Sequence, residues 1–443
     1  MKRIFLGFFA LFLVFPLVAY MPEYQARLPD SFIESVQVRT EILLPWLLAD
    51  PAAVLAKKAE THIERSIYSF TVSQKQQEKN KMLEISVLYD SRYGEQSSWY
   101  FYKRMEDGEI DSIVLKPVPD SQVSLIFRPY QNRKNEDRSL LELQIYGMSV
   151  CKDIPVGLSF SSLFTASLLS IQSLTSATLP WGLLTPEPFL YEDVVSAIQV
   201  IRSNLASLIY YDDGAFNELG EPVHILDGSP QKPEVLIDLI PPSQDPVLIK
   251  GGVNCSGFVK WIVDGMIRPF SGSNTYIEPL KKSTESPKTH FTEPFRYTRD
   301  LFFALDWTRN LGSALVSANL KKTVLPYESG IDVSVEPFSG SRGYEKNIGY
   351  SVKELIPYMY YLAAKEPGHI YLGALSRERG TPLLRQYHHA VALFPYFDAQ
   401  GLFSLVIFES AIETAPAQFV TSNMDAWIHL VRLKIPQAGF FQP

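Results

Sequence analysis

From Ile67 to Val150 apolar residues recur at every second position, and this alternation constrains the fold more than any other feature of the chain. Leu83, Ile85, Val87 and Tyr89 form one run, Val123, Leu125 and Phe127 a second, and Leu141, Leu143 and Ile145 a third. A period of two places the apolar side chains of a segment on one face, so each run reads as a strand with one buried and one solvated side. Turn clusters at Tyr93-Gly94-Glu95 and Glu106-Asp107-Gly108 separate the runs. The reading is a small antiparallel, sandwich-like β domain of about six strands over residues 66–150. Its aromatics Trp99, Tyr100 and Tyr102 read as ordinary sheet-face residues rather than a sugar-binding platform.

The flanks read differently. Lys2 and Arg3 precede an apolar stretch from Ile4 to Met21 interrupted by Pro16. That order suits a secretory signal over 1–19, cleaved after Ala19, or an uncleaved anchor. Either implies export to the periplasm or cell envelope, with membrane contact only through this segment if it is retained. Residues 20–65 read as helical, with Ile42-Leu43-Leu44 and Trp46-Leu47-Leu48 before Pro51 and a second run from Ala52 to Ile67. Residues 151–245 form a mixed connecting region with a helix from Glu192 to Tyr210 and loop corners at Asp212-Asp213-Gly214 and Asp227-Gly228. Prolines at 230, 233, 241, 242 and 246 then lead into a last domain over 246–443. It starts with a helix at Cys255, carries a polar insertion from Ser271 to Glu293, and closes with helices and strands.

Several function classes drop out. Lys and Arg total 41 against 48 Asp and Glu, a net charge of -7 with no basic block, so no nucleic-acid partner is expected. Two cysteines, Cys151 and Cys255, lack paired metal-site spacing. His62, His224, His290, His369 and His429 are isolated, and no phosphate-loop or dinucleotide glycine motif occurs. No metal and no cofactor is expected. An oxidising compartment would permit a Cys151–Cys255 disulfide.

The chemistry-bearing stretch is GGVNCSGFVKWIVDGM, residues 251–266. Phe258, Val259, Ile262, Val263 and Met266 fall at helical spacing from Cys255, with Asn254 as a natural N-cap. A thiol in the first turn of a helix lies beside unpaired N–H groups and the positive end of the dipole, which favours the thiolate. Gly251 and Gly252 would let backbone come close, as a cleft for an extended substrate requires.

The run Asn254-Cys255-Ser256-Gly257-Phe258-Val259 resembles the nucleophile motif of the NlpC-type cell-wall cysteine peptidases, a papain-like group. The order of later parts is similar too. Glu366-Pro367-Gly368-His369-Ile370-Tyr371-Leu372 resembles the first strand of that family, and Tyr387-His388-His389-Ala390-Val391-Ala392-Leu393-Phe394 the second. Leu402 to Glu409, after the turn at Asp398-Ala399-Gln400-Gly401, corresponds to the third. The resemblance covers at best residues 246–415. It implies an α+β chain ending in a papain-like domain, and an exported enzyme that opens an amide bond in peptidoglycan stem peptides. An inactive papain-like scaffold of the envelope is the alternative.

Within that pattern Cys255 is the nucleophile and His389 the base, chosen over His388 by the spacing of the family's His-Val-Ala-hydrophobic strand. Neighbouring strand residues alternate faces, so the two histidines are not both expected at the thiol. Glu409 lies twenty positions after His389 and returns to its face if the hairpin loop is odd, with Ser410 the candidate if it is even. The backbone N–H of Cys255 would hold the oxyanion. Three departures stand out: Asn254 replaces the family's Asp, its usual His, Asn or Gln orienter is Glu409, and its upstream Tyr has no clear match. Roughly 110 residues separate the nucleophile from the Pro-Gly strand.

Overall fold

The alternating segments pair in chain order. The computed structural model describes residues 32–90, 94–130, 138–239, 249–284, 300–437 and 439–443. Strands β1 (Glu60–Glu64), β2 (Tyr68–Gln77), β3 (Met82–Tyr89), β4 (Trp99–Arg104), β5 (Ile110–Leu115), β6 (Val123–Pro129), β7 (Ser139–Ile145) and β8 (Met148–Pro155) form one antiparallel meander in the order β1 to β8. The expectation of about six strands falls short by the two edges. Neither β1 nor β8 buries a side chain, so neither carries the alternation that betrays a strand. Charged, exposed edges of this kind also discourage pairing with other chains. Nor do the strands divide into two facing sheets; all eight belong to one.

The helical reading of the N-terminal segment needs a matching correction. Residues 36–48 are helical, starting at Ser35, whose Oγ accepts from Val38 N at 2.9 Å. The next helix covers only Pro51–Leu55, not Ala52 to Ile67. From Glu60 the chain becomes β1 and reverses at Arg65 and Ser66, both with positive φ. Pairing with β2, including a Thr61–Thr71 hydroxyl contact of 3.1 Å, overrides local helical preference. Val38, Leu43, Trp46, Leu47 and Val54 cover the inner face of the meander.

Helix α1 (Glu192–Asn204) stops six residues before Tyr210, because Leu208–Tyr210 form strand β9. Short strands β10 (Gly214–Phe216) and β11 (Pro222–His224) make a hairpin, and β12 (Gly251–Val253) pairs in parallel with β9. Helices α2 (Cys255–Ser271), α3 (Phe303–Leu320) and α4 (Leu355–Lys365) follow. Strands β13 (Tyr350–Ser351), β14 (His369–Arg379), β15 (Leu384–Phe397), β16 (Phe403–Glu409), β17 (Ile412–Thr414) and β18 (Trp427–Lys434) form a second antiparallel sheet in the order β13-β18-β14-β15-β16-β17.

Alternation along β14 and β15 divides two cores. Ile370, Leu372, Ala374, Ala390, Ala392 and Phe394 face α2 and α3. Tyr371, Leu375, Val391 and Leu393 join a cluster that contains α4 and the inner face of the eight-stranded sheet. The fold is thus mixed α and β, with antiparallel sheets. The N-terminal stretch expected to direct export, Pro241, Pro242, Pro246 and the later part of the polar insertion lie outside the described residues. Among the described residues no helix is long and apolar enough to cross a membrane.

Candidate active site

Cys255 opens α2 directly after β12. Asn254 caps the helix, its side chain accepting from Gly257 N at 2.8 Å. The buried Gln231 amide holds β12 from the side, accepting from Gly252 N at 2.9 Å and donating to Gly252 O at 2.8 Å. Trp307 of α3, itself buried, donates from Nε1 to Ser256 O at 2.9 Å. The first turn of α2 is therefore tied to a strand on one side and a helix on the other.

The glycines serve this packing. A Cβ on Gly257 would lie 1.9 Å from Gly214 O, and one on Gly252 2.3 Å from the Tyr211 Cβ. Gly251 meets Pro222 and Phe216. The close approach expected at Gly251 and Gly252 is therefore to the protein's own side chains, not to an extended substrate. Gly257 lets α2 press its start against β10, where Asn254 N donates to Gly214 O at 3.0 Å.

Across the cleft, β15 contributes the histidines. Leu375 pairs with His389 and Ser376 with Tyr387, which leaves His388 as the extra residue of a β-bulge. A bulge interrupts strict alternation and re-aims its side chains. Both residues consequently line the cleft, while only one of them acts on the thiol, as alternation predicts. Their partners still distinguish them. His389 interacts electrostatically with the Cys255 thiol across the cleft, and its Nε2 meets Glu409 Oε2 at 2.6 Å. His388 instead contacts Gln386 O through Nδ1 at 3.3 Å, and burial holds its ring below the usual imidazole range.

Glu409 reaches His389 because the β15–β16 pairing ends at Phe397–Phe403, enclosing a five-residue loop. Phe408 is the last β16 residue paired with β15, opposite Ala392, and Glu409 follows it with its carboxylate at the His389 ring. Its other oxygen, Oε1, accepts from Thr414 Oγ1 at 2.6 Å. Ser410 follows in the turn with φ 50° and lines the cleft without replacing Glu409.

The electrostatics align with this geometry. Burial alone would push the Cys255 thiol up, but hydrogen bonding and charge from His389, the Ala390 N–H and Ser256 outweigh it and lower the thiol. Burial would push the His389 ring down, yet its bonds to Cys255 and Glu409 raise it to about 9. Burial opposes the Glu409 carboxylate, whose bonds to His389 and Thr414 hold it below its usual range. Opposed movements of thiol and imidazole favour a thiolate–imidazolium pair. With Nε2 engaged by Glu409, Nδ1 is the ring nitrogen left for the thiol. As the first residue of α2, Cys255 has a backbone N–H without an intrahelical acceptor.

The cleft measures about 350 Å³ and is lined also by Tyr210, Asp212, Phe303 and Tyr387. Sequence reasoning missed Tyr210 and Asp212. Burial together with the negative charges of Asp212 and Cys255 raises the Tyr210 hydroxyl, and its position at the end of β9 places it on the cleft wall. The signal available was an Ile209-Tyr210-Tyr211 run taken as the end of a helix. A larger groove of about 870 Å³ crosses the outer face of the eight-stranded sheet, near Arg128, Glu142 and Lys152. It contains no nucleophile.

The second thiol differs in its surroundings. Both cysteines are free; Cys151 lies on β8 opposite Leu143, and burial pushes its thiol up. The disulfide that export would permit is therefore not formed. His429 is fully buried, 3.2 Å from Arg309 Nη2 and 3.5 Å from Asp332 Oδ2. Among the described residues no group of three His, Cys, Asp or Glu could hold a metal ion.

Residues 29–183 match the model of a domain of unknown function, DUF8515. That span covers the helical segment and the eight-stranded sheet and ends before the Cys255 cleft. No curated protein and no solved structure matches the chain.

Proposed function

We propose that the protein is an exported cysteine hydrolase that opens an amide bond through an acyl-enzyme. The carrying observation is the line Cys255–His389–Glu409, in which the thiol is lowered while the imidazole is raised. The Cys255 thiolate attacks the carbonyl carbon, and the developing oxyanion lies toward the Cys255 N–H at the start of α2. His389, already protonated, gives its proton to the leaving amine as the C–N bond breaks, leaving a thioester on Cys255. It then takes a proton from water, whose oxygen attacks the thioester, and returns that proton to the departing thiolate. Glu409 keeps the ring in one orientation and supports its positive charge throughout.

The resemblance of residues 246–415 to the NlpC-type peptidases supports a papain-like C-terminal domain and, as substrate, the short peptide of peptidoglycan. The helix starting at the thiol and the later antiparallel strands β14, β15 and β16 agree in order with that pattern. The N-terminal segment supports a location in the periplasm or cell envelope.

The full chain incubated with a defined muropeptide should release two fragments whose masses sum to the substrate plus one water. Cys255→Ala and His389→Ala should each lose turnover by at least about 10³-fold while remaining folded. Unchanged hydrolysis in either variant removes that residue from the mechanism. A Cys255 thiol of ordinary reactivity, with no turnover, would leave the inactive scaffold as the reading.

A further inference from the structure

Resting on the hydrolase reading, we infer that Thr414 is a positioning residue of the same site, a fourth member that fixes Glu409 for His389. Glu409 divides its two oxygens: Oε2 takes the His389 ring and Oε1 the Thr414 hydroxyl, each at 2.6 Å. A carboxylate only accepts, so the Thr414 O–H must donate to Oε1, as the His389 N–H donates to Oε2. Both donors fix the carboxylate's rotation, and with it the tautomer and direction of the imidazole.

The local fold is arranged for this contact. Strand β17 has only three residues, Ile412–Thr414, and pairs Thr414 with Ile407 and Ile412 with Glu409. Thr414 thus lies diagonally beside Glu409 on one face of the hairpin. The turn that returns the chain so soon uses Ser410 and Ala411 at φ 50° and 64°. Such two-residue turns usually take glycine or asparagine, since a side chain is costly at positive φ. Thr414 is 8% exposed, so water has little access to replace its hydroxyl.

The charged and titratable neighbours are accounted for. His389 is on the same sheet, Cys255 comes from α2, and His388 and Tyr210 line the cleft. Arg202 of α1 is bound to Glu413 by two contacts of 2.7 Å. Glu413 alternates with Thr414 and points to the other side of β17. Among these contacts Thr414 is the neutral donor to the free oxygen of Glu409. Without it, that oxygen becomes a half-buried acceptor lacking its partner, and the carboxylate can turn away from the ring.

The test is the pH dependence of Cys255 alkylation by iodoacetamide in the full chain, measured for wild type, Thr414→Val and Thr414→Ser. This readout needs no knowledge of the substrate. Wild type should show an acid limb below that of an ordinary thiol. Thr414→Val, close in shape but without the hydroxyl, should move that limb upward by about half to one pH unit, whereas Thr414→Ser should restore it. With a muropeptide the Val variant should lose kcat about 3- to 30-fold and keep its KM. A Thr414→Val limb that coincides with wild type overturns the inference even if the melting temperature falls, since Thr414 would then be structural only. An ordinary limb in wild type itself overturns the hydrolase reading, and with it this one.

Discussion

Replacing Glu409 by Gln removes one negative charge and leaves side-chain length and hydrogen-bonding reach nearly intact, which isolates the carboxylate's electrostatic contribution. His389 stands at about 9 against an ordinary 6.5, held there by Cys255 and Glu409 against the downward pull of burial. A hydrogen bond to a charged group contributes about 1.5–3 kcal/mol, and 1.36 kcal/mol is one pH unit, so loss of the charge should lower the ring by about 1 to 2 pH units. Cys255 supplies the remainder. Because protonated His389 must donate to the leaving amine, hydrolysis falls as pH rises through the imidazole's pKa. The basic limb of kcat/KM should therefore move from about 9 in wild type to roughly 7–8 in Glu409→Gln. The same raised pKa makes a stability contribution that is fully present below 6.5 and lost as pH rises through about 9. In the Gln variant that loss should be complete at lower pH. Muropeptide hydrolysis across pH gives the limb, and NMR titration of the His389 ring gives the same quantity without substrate. A folded Glu409→Gln protein whose ring titrates as wild type would refute the argument.

Other perturbations probe separate parts of the design. Gly257→Ala should destabilise by about 1–3 kcal/mol in urea melts, because the clash with Gly214 O outweighs the helix preference of about 1 kcal/mol for alanine; a neutral result would show that α2 can retreat from β10. His388→Ala should cost less than about tenfold in kcat, against the far larger loss for His389→Ala, and equal losses would contradict the distinction drawn from their partners. The buried Lys260–Asp264 pair on α2 lies at 2.6 Å with both side chains essentially inaccessible. Asp264→Asn should cost about 3–5 kcal/mol by leaving the ammonium without its counter-charge, a loss that denaturation curves would reveal and that Lys260→Met in the same background should partly reverse. Iodoacetamide at neutral pH should label Cys255 in preference to Cys151, whose thiol burial pushes up; mass spectrometry of the digested protein would expose the opposite order.

Legibility in the sequence followed burial. Strands with one face in the core, such as β3, β6 and β7, announce themselves by alternation, whereas β1 and β8 bury nothing and leave no such trace. Asn254 and Cys255 were readable because a cap and an apolar stripe are local signals, whereas Glu409 was readable only as one of two choices with Ser410, since the parity of the hairpin loop came from the structure. The cleft wall formed by Tyr210 and Asp212 was not readable in the same way. It depends on β9 pairing with β12, more than forty residues away, and Leu208-Ile209-Tyr210 is too short for periodicity to separate strand from helix. The bulge at His388 has no compositional mark either, and it left two adjacent histidines on the cleft wall.

The cluster shared by the eight-stranded sheet, α4 and one face of the second sheet has a practical consequence for the span matched by the uncharacterised family. Truncation at residue 183 would remove Tyr360 and Phe403, whose rings pack on Tyr146, and with Tyr360 the hydroxyl that donates to Leu183 O at 3.0 Å. That fragment would present a greasy wall to solvent and tend to aggregate, so it is better studied within the whole polypeptide. Where the same domain occurs in other chains, a comparable apolar lid should be sought beside it, whether or not that lid carries a thiol.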